Sequence, residues 1–388
     1  MNMRKFYFLS IIAGTVLAYS SCSNDLVEEV SEEVSEHVQT GTPMNFSAKM
    51  GGKANAGTPQ PGKHKLNYDD SDFGTGMAMF KWETNDLIGV DCPDAYDKDG
   101  KFTHAVYKVT DPEYGYFTTA LESHSGHLYW GENEVHRVFS GYPAGKVTMG
   151  AVEEHNGDPW QFTRQFSSQI DPVQNGQVSE EYVVLGEEST PGYRAIDKKN
   201  MVCGGVTFFE KSETSQDEVL VLYNYAFFTS VDVVFTPSEI DKPITISKVE
   251  IAVDKSQIDM TKFSVADVNI CGECEGILYV DEDGLLAVKE MSAKDDSSYD
   301  KVSIDVKGLS GEDGFKWSQD KPLSVVLCMF PWSEPQGGEN YTRPFPAKLT
   351  VTYQYEGESS QTKTMDISNE YWINARNRIQ VPALPHAE

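Results

Sequence analysis

Residues 244–253 read Ile-Thr-Ile-Ser-Lys-Val-Glu-Ile-Ala-Val, and this stretch indicates the fold class. Its apolar and polar residues alternate with the two-residue period of a β-strand that has one face in a core. The phase changes at Ser247-Lys248, since the apolar residues are even-numbered before this point and odd-numbered after it. One extra residue moves all later side chains to the other face, so the change predicts a β-bulge or a switch between sheets here.

The same alternation recurs along the chain and predicts an all-β protein. It is present in AVYKV at 105–109, VSIDV at 302–306 and LTVTYQY at 349–355. The continuous apolar run VVLCMF at 325–330 is typical of a strand buried on both faces. No stretch has a convincing helical period, and many short strands separated by turn signals favour β-sandwiches. The turn signals are Asp99-Gly100, Asn156-Gly157, Asn175-Gly176, Asp283-Gly284 and Gly337-Gly338.

Composition and charge exclude several classes of function. The chain has 388 residues, with 32 Lys and Arg against 60 Asp and Glu, which gives a formal net charge of −28. A surface this negative repels phosphate backbones and anionic lipids, so nucleic-acid binding and docking through a basic patch are disfavoured. A hydrophobic content of 39% with 11% aromatic residues excludes a disordered chain.

The length predicts two domains of ordinary size. The boundary is expected in the polar stretch GEESTPGYRAIDKKN, which contains a Pro-Gly turn signal. We therefore predict an N-terminal β-sandwich domain at 44–188, a linker at 189–199 and a C-terminal β-sandwich domain at 200–388.

The first 21 residues have the layout of a secretory signal peptide. A basic start at 1–5 precedes an apolar run at 6–18, which is shorter than the roughly 20 residues that a membrane span needs. Small residues and then Cys22 follow, as at a bacterial lipoprotein cleavage site. We predict removal of residues 1–21 and acylation of Cys22, with an ordinary secretory leader and a bystander cysteine as the alternative.

Residues 22–43 are predicted to be an acidic tether. After the leader, no Lys or Arg occurs before Lys49, while several glutamates follow Cys22 closely. The charge indicates a solvated, self-repelling segment. Acidic residues just after a lipidated cysteine also resemble the signals that send lipoproteins of some Gram-negative anaerobes to the outer leaflet of the outer membrane.

The cysteines leave several interpretations open. Besides Cys22, the chain has five, and their pairing cannot be assigned from sequence. Two of them form a CxxC within VNICGECEGILYV at 268–280, which favours a structural turn between two strands, with a metal or redox role as alternatives. The five are Cys92, Cys203, Cys271, Cys274 and Cys328.

No enzymatic motif is present, and we predict a protein without catalytic activity, cofactor or metal. GxSxG, HExxH, the Walker loop and GxGxxG after a strand are all absent, and no carboxylate pair is singled out. The aspartates at 94, 97 and 99 lack the spacing of a calcium loop and are assigned to a hairpin turn. Four aromatic residues can either stack on sugars or fill a sandwich core: Tyr129, Trp130, Trp160 and Trp332.

Several motifs, in order, resemble the fimbrillin family of anaerobic Gram-negative bacteria. They are MNFS at 44–47, WETNDLIGV at 82–90, YKV at 107–109, GYF at 115–117, LYW at 128–130, FSGYP at 139–143, NYAFFTSVDV at 224–233 and WINARNRIQV at 372–381. The residues matching the family pattern in the second and sixth motifs are Trp82, Asp86, Ile88, Gly89, Val90, Tyr142 and Pro143. Trp82, Ile88 and Val90 can fill a core, Asp86 can cap the turn, and Gly89 allows close backbone approach. The chain departs from the family at Asn224, where histidine is usual, and at Ala375, where glycine is common.

The resemblance implies two tandem transthyretin-like β-sandwich domains in a structural or adhesive subunit of a cell-surface fimbria (pilus). Such subunits are exported as outer-membrane lipoproteins, trimmed by a protease and joined to other pilus subunits by strand addition. The family's arginine cleavage site is absent, because no arginine lies between Cys22 and Arg137. Candidate processing sites are Lys53, Lys63 and Lys65, and an untrimmed anchor at the pilus base is the alternative. A surface glycan-binding lipoprotein for nutrient uptake is the alternative function.

The leader generates the first testable prediction. Metabolic labelling of the producing bacterium with a fatty-acid probe should mark the wild-type chain and leave Cys22→Ala unmarked, because the thiol at position 22 carries the lipid. The other cysteines act as internal controls, since they remain in the variant. Equal labelling of both proteins would contradict acylation at Cys22.

Overall fold

Almost all the regular structure in the computed structural model is β-strand, which confirms the all-β prediction. The structure describes residues 42–50, 82–95, 103–112, 119–155, 158–185, 188–211, 217–222, 229–236, 242–258, 268–280, 286–318, 320–330, 343–344, 346–367, 371–372 and 376–386. Within these ranges, the helical segments are two short 3-10 helices, at Lys198–Asn200 and Lys255–Gln257. No helix in the described part of the chain is long and apolar enough to cross a membrane.

Twenty-three strands are assigned in the described ranges. The first eleven are β1 (Asn45–Met50), β2 (Leu87–Asp91), β3 (His104–Asp111), β4 (Thr119–Ser123), β5 (Val135–Tyr142), β6 (Val147–His155), β7 (Asp158–Ile170), β8 (Val173–Leu185), β9 (Glu188–Ile196), β10 (Cys203–Glu210) and β11 (Asp217–Leu222). The others are β12 (Thr229–Phe235), β13 (Ile244–Val253), β14 (Cys271–Val280), β15 (Leu286–Tyr299), β16 (Lys301–Lys307), β17 (Phe315–Trp317), β18 (Leu323–Met329), β19 (Arg343–Pro344), β20 (Ala347–Tyr355), β21 (Gln361–Asp366), β22 (Tyr371–Trp372) and β23 (Arg376–Gln380).

Three large sheets carry the architecture. The first has seven strands in the order β10-β5-β2-β3-β4-β1-β11. The second has the order β21-β20-β13-β16-β8-β9-β18-β12-β23, with β17 paired to β13. The third has four strands, β15-β14-β7-β6, and a small β19-β22 pair forms a fourth sheet. Since the third sheet joins strands from both halves of the sequence, the core is built from the whole described chain.

The sheets differ from the predicted domain boundaries. The expected linker at 189–199 is largely strand β9, which pairs antiparallel with β8 and parallel with β18. Strands β10 and β11, expected in the C-terminal domain, belong to the first sheet. The β8-β9 hairpin lies between β16 and β18 of the second sheet, so it completes a sheet whose other strands come from later in the chain. The division into two sandwich domains stays a prediction.

Two local predictions about strands are confirmed. The pairing of β13 with β20 shifts register between Ile246 and Lys248, which is the β-bulge indicated by the change of phase. Every residue of β18 is buried, as its continuous apolar run predicted, because β9 and β12 flank it in the middle of the second sheet.

Two turn predictions are wrong. Asn175-Gly176 lies inside β8, where a Cβ at Gly176 would come within 2.5 Å of the Ile304 side chain. The glycine therefore serves close packing between strands and not a turn. Cys271 and Cys274 both lie in β14, whose pairing with β15 shifts register between Gly272 and Cys274, so the CxxC spans a bulge.

Two hydrogen bonds of the Gln174 side chain join the β8-β9 hairpin to β18. This side chain is fully buried, donates from Nε2 to the carbonyl oxygen of Cys328 at 2.6 Å and accepts at Oε1 from the Cys328 amide at 3.0 Å. One side chain thus satisfies both the amide and the carbonyl of Cys328, which lies in the other half of the sequence.

Replacing Gln174 should weaken this attachment. Gln174→Ala leaves the Cys328 backbone without these two partners, so we expect the free energy of unfolding to fall by about 1–3 kcal/mol. The matched control is Gln169→Ala, because Gln169 is exposed on β7 and its loss should change the value by less than about 0.5 kcal/mol. Denaturant unfolding of the three proteins measures the difference. Equal losses in both variants would contradict the role assigned to Gln174.

Candidate functional site: strand β1 and the Trp82–Tyr142 cluster

Strand β1 fills a gap inside the first sheet. It runs parallel to β11 over six paired residues, from Asn45 beside Asp217 to Met50 beside Leu222. On its other side it pairs antiparallel with β4 over two residues. A strand in this position satisfies two ladders at once, so taking it away would expose two strand edges together.

The middle of β1 is buried, including the polar Ser47. Phe46 and Ala48 are buried, and Phe46 packs edge-on against Tyr107 with 5.0 Å between ring centroids. Phe209 of β10 lies 6.2 Å from the Phe46 ring. The segment therefore pairs within the first sheet with Phe46 in the core.

The residues before β1 are held by the 128–130 segment. The Met44 amide donates to the Leu128 carbonyl at 2.7 Å, and Pro43 forms an antiparallel bridge with Tyr129. The Tyr107 hydroxyl donates to the Met44 carbonyl at 3.1 Å and accepts from the Leu128 amide at 3.3 Å. The Tyr107 hydroxyl therefore links the residue before β1 to the 128–130 segment.

The family-motif residues come together at one end of the first sheet. Trp82 is buried and meets Tyr142 edge-on at 5.3 Å between ring centroids. The Tyr142 hydroxyl donates to Asp86 Oδ1 at 3.2 Å. Asp86 Oδ2 also accepts from the Glu83 amide at 2.8 Å, so the carboxylate caps the turn that leads into β2. Burial raises the pKa of Asp86, and its hydrogen bonds oppose this shift.

Gly89 and Gly141 lie opposite each other in β2 and β5, and the contacts that a Cβ at Gly89 would make are of ordinary length. Such a Cβ would lie 3.7 Å from the Gly141 carbonyl oxygen. Ile88 and Val90 on either side of Gly89 are fully buried. The peptide bond between Tyr142 and Pro143 is cis. Among the seven motif residues, Tyr142 contacts both Trp82 and Asp86, and the functional role of the set stays a prediction.

A layer of cations and aromatic rings between the first and third sheets was missed by sequence reasoning. Arg164 of β7 lies over the Phe139 ring at 3.9 Å and donates to Asp91. Phe139 meets Phe162 edge-on at 5.5 Å, and Arg137 lies 5.7 Å from the Phe162 centroid. The sequence signal for this layer was an arginine two residues from a phenylalanine within a strand. A buried guanidinium needs a carboxylate and can stack on an aromatic ring.

Asp94 lies in a turn of the β2-β3 connection, as predicted, where the Ala95 amide donates to the Cys92 carbonyl at 3.1 Å, and it also belongs to this layer. It is buried, and its carboxylate accepts from the Arg137 backbone amide and guanidinium at 2.8–2.9 Å. The Arg137 guanidinium also donates to the Glu154 carboxylate at 2.6 Å, and the Asn133 side chain donates to Asp94 at 2.9 Å. Burial would raise the pKa of Asp94, but the hydrogen bonds and charge of Arg137 outweigh it and hold that pKa below its usual value.

His136 lies beside Asp94 with its ring buried. The ring meets Trp130 edge-on at 4.8 Å, and Nε2 accepts a hydrogen bond from the Gly131 amide at 2.8 Å. An accepting Nε2 requires the neutral imidazole. Burial lowers the pKa of His136, and the charge of Asp94 only partly opposes this shift.

The cysteines have no geometry for metal or redox chemistry. All five are buried free thiols in the structure, and burial raises the pKa of each one. The pKa of Cys271 is raised to about 12 and that of Cys274 to about 11, so both stay protonated and unreactive at neutral pH. No group of three or more metal-binding side chains is found among the described residues.

The other predicted residues are dispersed or lie outside the described ranges. Trp130 is buried, which makes it a core residue and not a sugar platform. Cys22, Lys53, Lys63, Lys65 and Trp332 fall outside the described residues, as do the acidic tether up to 41 and the leader. A shallow groove of about 460 Å³ on the outer face of the third sheet is lined mainly by short polar side chains, glycine and Phe166.

No family model and no curated protein matches this chain. Among solved structures, a protein of Bacteroides ovatus described as a candidate cell adhesion protein is similar, with 11% identity and a TM-score of 0.42, covering 89% of this chain and 93% of that one. A second such protein, from Bacteroides fragilis, has 11% identity and a TM-score of 0.38, with 87% and 92% covered. A fimbrial assembly protein of Parabacteroides distasonis has 9% identity and a TM-score of 0.28, with 88% and 90% covered. Identities and TM-scores this low do not assign a function, so the function proposed below rests on the sequence motifs and the geometry.

Phe46 should account for much of the stability that β1 provides. Truncating it to alanine leaves a cavity between Tyr107 and Phe209, so we expect Phe46→Ala to lower the free energy of unfolding by about 3–5 kcal/mol. Phe46→Leu is the control and should cost less than about 1.5 kcal/mol, because it keeps most of the volume. Denaturant unfolding measures both. A small loss in Phe46→Ala would contradict the packing described.

Acid should destabilise the protein in two steps. A pKa lowered by folding means that the group stabilises the fold above its unfolded pKa, and that this contribution is lost as pH falls toward the folded pKa. As the pH falls, the stabilising contribution of His136 begins to be lost near pH 6.5, and that of Asp94 near pH 4. These are the pKa values of the two groups in the unfolded chain.

Unfolding measured by denaturant at a series of pH values tests this. His136→Gln should flatten the decline that begins near pH 6.5 and keep the steeper acid decline, because Asp94 remains. A variant whose profile runs parallel to that of the wild type below pH 6.5 would exclude His136 as the group responsible.

Proposed function

We propose that this chain is a structural or adhesive subunit of a cell-surface fimbria, exported as an outer-membrane lipoprotein and assembled by strand exchange. The observation that carries the proposal is the position of β1 between β4 and β11. A subunit that loses this strand would expose the backbone edges of β4 and β11, with an apolar floor formed around Tyr107 and Phe209 between them. Such a groove is a receptor for an extended strand from a neighbour.

The energetics of the groove favour a strand with alternating apolar residues. Each backbone hydrogen bond contributes only about 0.5–1.5 kcal/mol net, so the ladder alone gives limited selectivity. Burial of a phenylalanine such as Phe46 adds about 1.5–3 kcal/mol. An incoming strand therefore needs an apolar side chain at the Phe46 position and a small one at the Ala48 position, which is buried in the same core.

The segment WINARNRIQV at 372–381 is the proposed donor. Its odd positions from 373 onward read Ile, Ala, Asn, Ile and Val, while its even positions are polar. In the chain itself, residues 376–380 form β23, which pairs parallel with β12 at one end of the second sheet. Donation to a neighbour would therefore replace one parallel ladder by another, so the exchange conserves most backbone hydrogen bonds.

Two modes of attachment to the cell follow from the leader. Cleavage after Lys53, Lys63 or Lys65 would release the lipid anchor together with β1 and open the groove. In the other mode, the chain keeps its lipid at Cys22 and its own β1, and serves as the anchor at the base of a fimbria. Both place the protein on the outer surface of the outer membrane, with other pilus subunits as partners.

Strand exchange can be tested on the full chain with a specific protease site introduced between Met50 and Trp82. After cutting, a labelled peptide of residues 42–50 should replace the native strand, and fluorescence anisotropy would report its binding. The control peptide carries Phe46→Asp, which should not bind, because it would bury a charge among aromatic rings. Failure of the cut protein to take up the wild-type peptide would overturn the strand-exchange proposal.

The protein recovered from intact cells decides between the two modes. Mass spectrometry of sheared fimbriae should find a new amino terminus after one of the three lysines if the subunit is trimmed. A mature amino terminus at acylated Cys22, with no shorter form in sheared fimbriae, would establish the anchor and rule out trimming.

A further inference from the structure

The strands nearest the two ends of the described chain, β1 and β23, each pair parallel with a strand from the middle of the chain. In the first sheet β1 pairs parallel with β11 over six residues, and β11 is the last strand of that sheet along the chain. In the second sheet β12 pairs parallel with β23 over five residues, and β23 is the last strand of the chain. Strands β11 and β12 follow one another in sequence, so the two parallel pairs are connected in series.

Parallel pairing decides how a pulling force acts on these strands. A load on the amino terminus pulls β1 toward its amino end, while the chain that leaves β11 pulls this strand toward its carboxyl end. Because the two strands point the same way, the opposed forces slide them past each other along their axes. The same holds for β12 and β23. In this shear geometry the bonds of a ladder share the load and break together, whereas bonds in a peeled pair break one after another.

We propose that the pairs β1-β11 and β12-β23 are two mechanical clamps in series that let the intact chain carry tension between its ends. Along the backbone the load path is β1, β11, β12 and β23, and load also crosses between the two enclosed segments where β7 pairs with β14, β8 with β16 and β9 with β18. This inference goes beyond the proposed function, because it concerns the resistance of the intact chain to force and not its assembly.

Extra contacts reinforce the points where force enters. At the amino end of β1, the Met44 amide is bonded to Leu128 at 2.7 Å, and the Trp130 amide to Thr42 at 3.2 Å. At the carboxyl end of β23, the Val381 amide donates to the Val234 carbonyl at 2.9 Å, which extends the ladder by one bond.

The tail after β23 is fastened as well. The hydroxyls of Tyr353 and Tyr355 donate to the carbonyls of Pro385 and Leu384 at 2.8 Å each, and Lys363 donates to the Ala383 carbonyl at 2.7 Å. Strand β12 is also secured on its other side by seven antiparallel residue pairs with β18. These attachments make sliding along the strand axis the path that a terminal load must take.

The enclosed lengths give the clamps a measurable signature. The chain from Asn45 to Leu222 is about 620 Å long when extended, at roughly 3.5 Å per residue, and the chain from Ser230 to Gln380 is about 530 Å long. Opening β1-β11 should free the chain as far as β7, β8 and β9, whose pairs with β14, β16 and β18 must break before the rest of its enclosed length is released.

Single-molecule force spectroscopy on the full chain, held by tags at its two termini, tests the proposal. We expect the highest rupture forces at the events that begin the release of about 620 Å and about 530 Å of chain. Gradual release of short lengths at low force, before any such event, would overturn the proposal in the wild-type protein alone.

Two adjacent proline substitutions in β11 provide a matched pair. The Val221 amide donates to the Thr207 hydroxyl at 3.3 Å and so points away from β1. Because amides alternate in direction along a strand, the Val219 amide also points away from β1, while the Glu218 amide points toward it. Proline removes an amide donor at either site.

Glu218→Pro should therefore lower the rupture force of the 620 Å event by about a sixth, since it removes one of about six backbone hydrogen bonds in a ladder of six residue pairs. Val219→Pro should lower that force much less while changing the equilibrium unfolding free energy by a similar amount. Equal rupture forces in the two variants would overturn the clamp at β1-β11. If Glu218→Pro does not fold, the order and size of the events in the wild type remain the test.

Discussion

The pairing of β1 with β11 is the interaction on which the first sheet depends. It joins residues near the start of the described chain to a strand some 170 residues later, and it places Phe46 between Tyr107 and Phe209. Closing so long a loop costs conformational entropy, which local hydrogen bonds alone do not offset. The burial of β1's apolar face supplies the difference, so the same residues that stabilise the sheet also define the groove that an exchanged strand would occupy.

The strong negative charge of the chain shapes the way its few arginines are used. Acidic residues outnumber basic ones by 60 to 32, so the net charge of −28 makes the chain self-repelling. Arg137 and Arg164 instead lie buried between the first and third sheets, where each contacts a carboxylate and a phenylalanine ring. Paired charges of this kind make the contact between sheets specific, because a shifted register would bury a charge without a partner.

The chemistry of the described residues agrees with a building block. The thiols are buried and protonated, Trp82 packs edge-on against Tyr142, and the tryptophan at 130 fills a core. Under the two proposals, the parallel pairs β1-β11 and β12-β23 would serve to join subunits and to carry load. Assembly and mechanical resistance would then be two uses of the same parallel pairs.

The sequence by itself determined the strands and the faces they bury. The alternation in 244–253, its change of phase at Ser247-Lys248, the apolar run in β18 and the inward side of Phe46 all follow from a period of two, which is a local property. The same reasoning misread Asn175-Gly176 and the CxxC, because glycine in a strand and glycine in a turn look alike along a sequence.

Only the tertiary structure decided which strands are neighbours. The insertion of the β8-β9 hairpin between β16 and β18, the place of β10 and β11 in the first sheet, and the meeting of Asp94 with Arg137 all join residues that are far apart in the chain. A strand's sequence specifies which face is apolar but not which edge will accept it, since every backbone offers the same donors and acceptors. The choice of partner is made by the packing of whole sheets, and that is the part of this protein that its sequence alone left open.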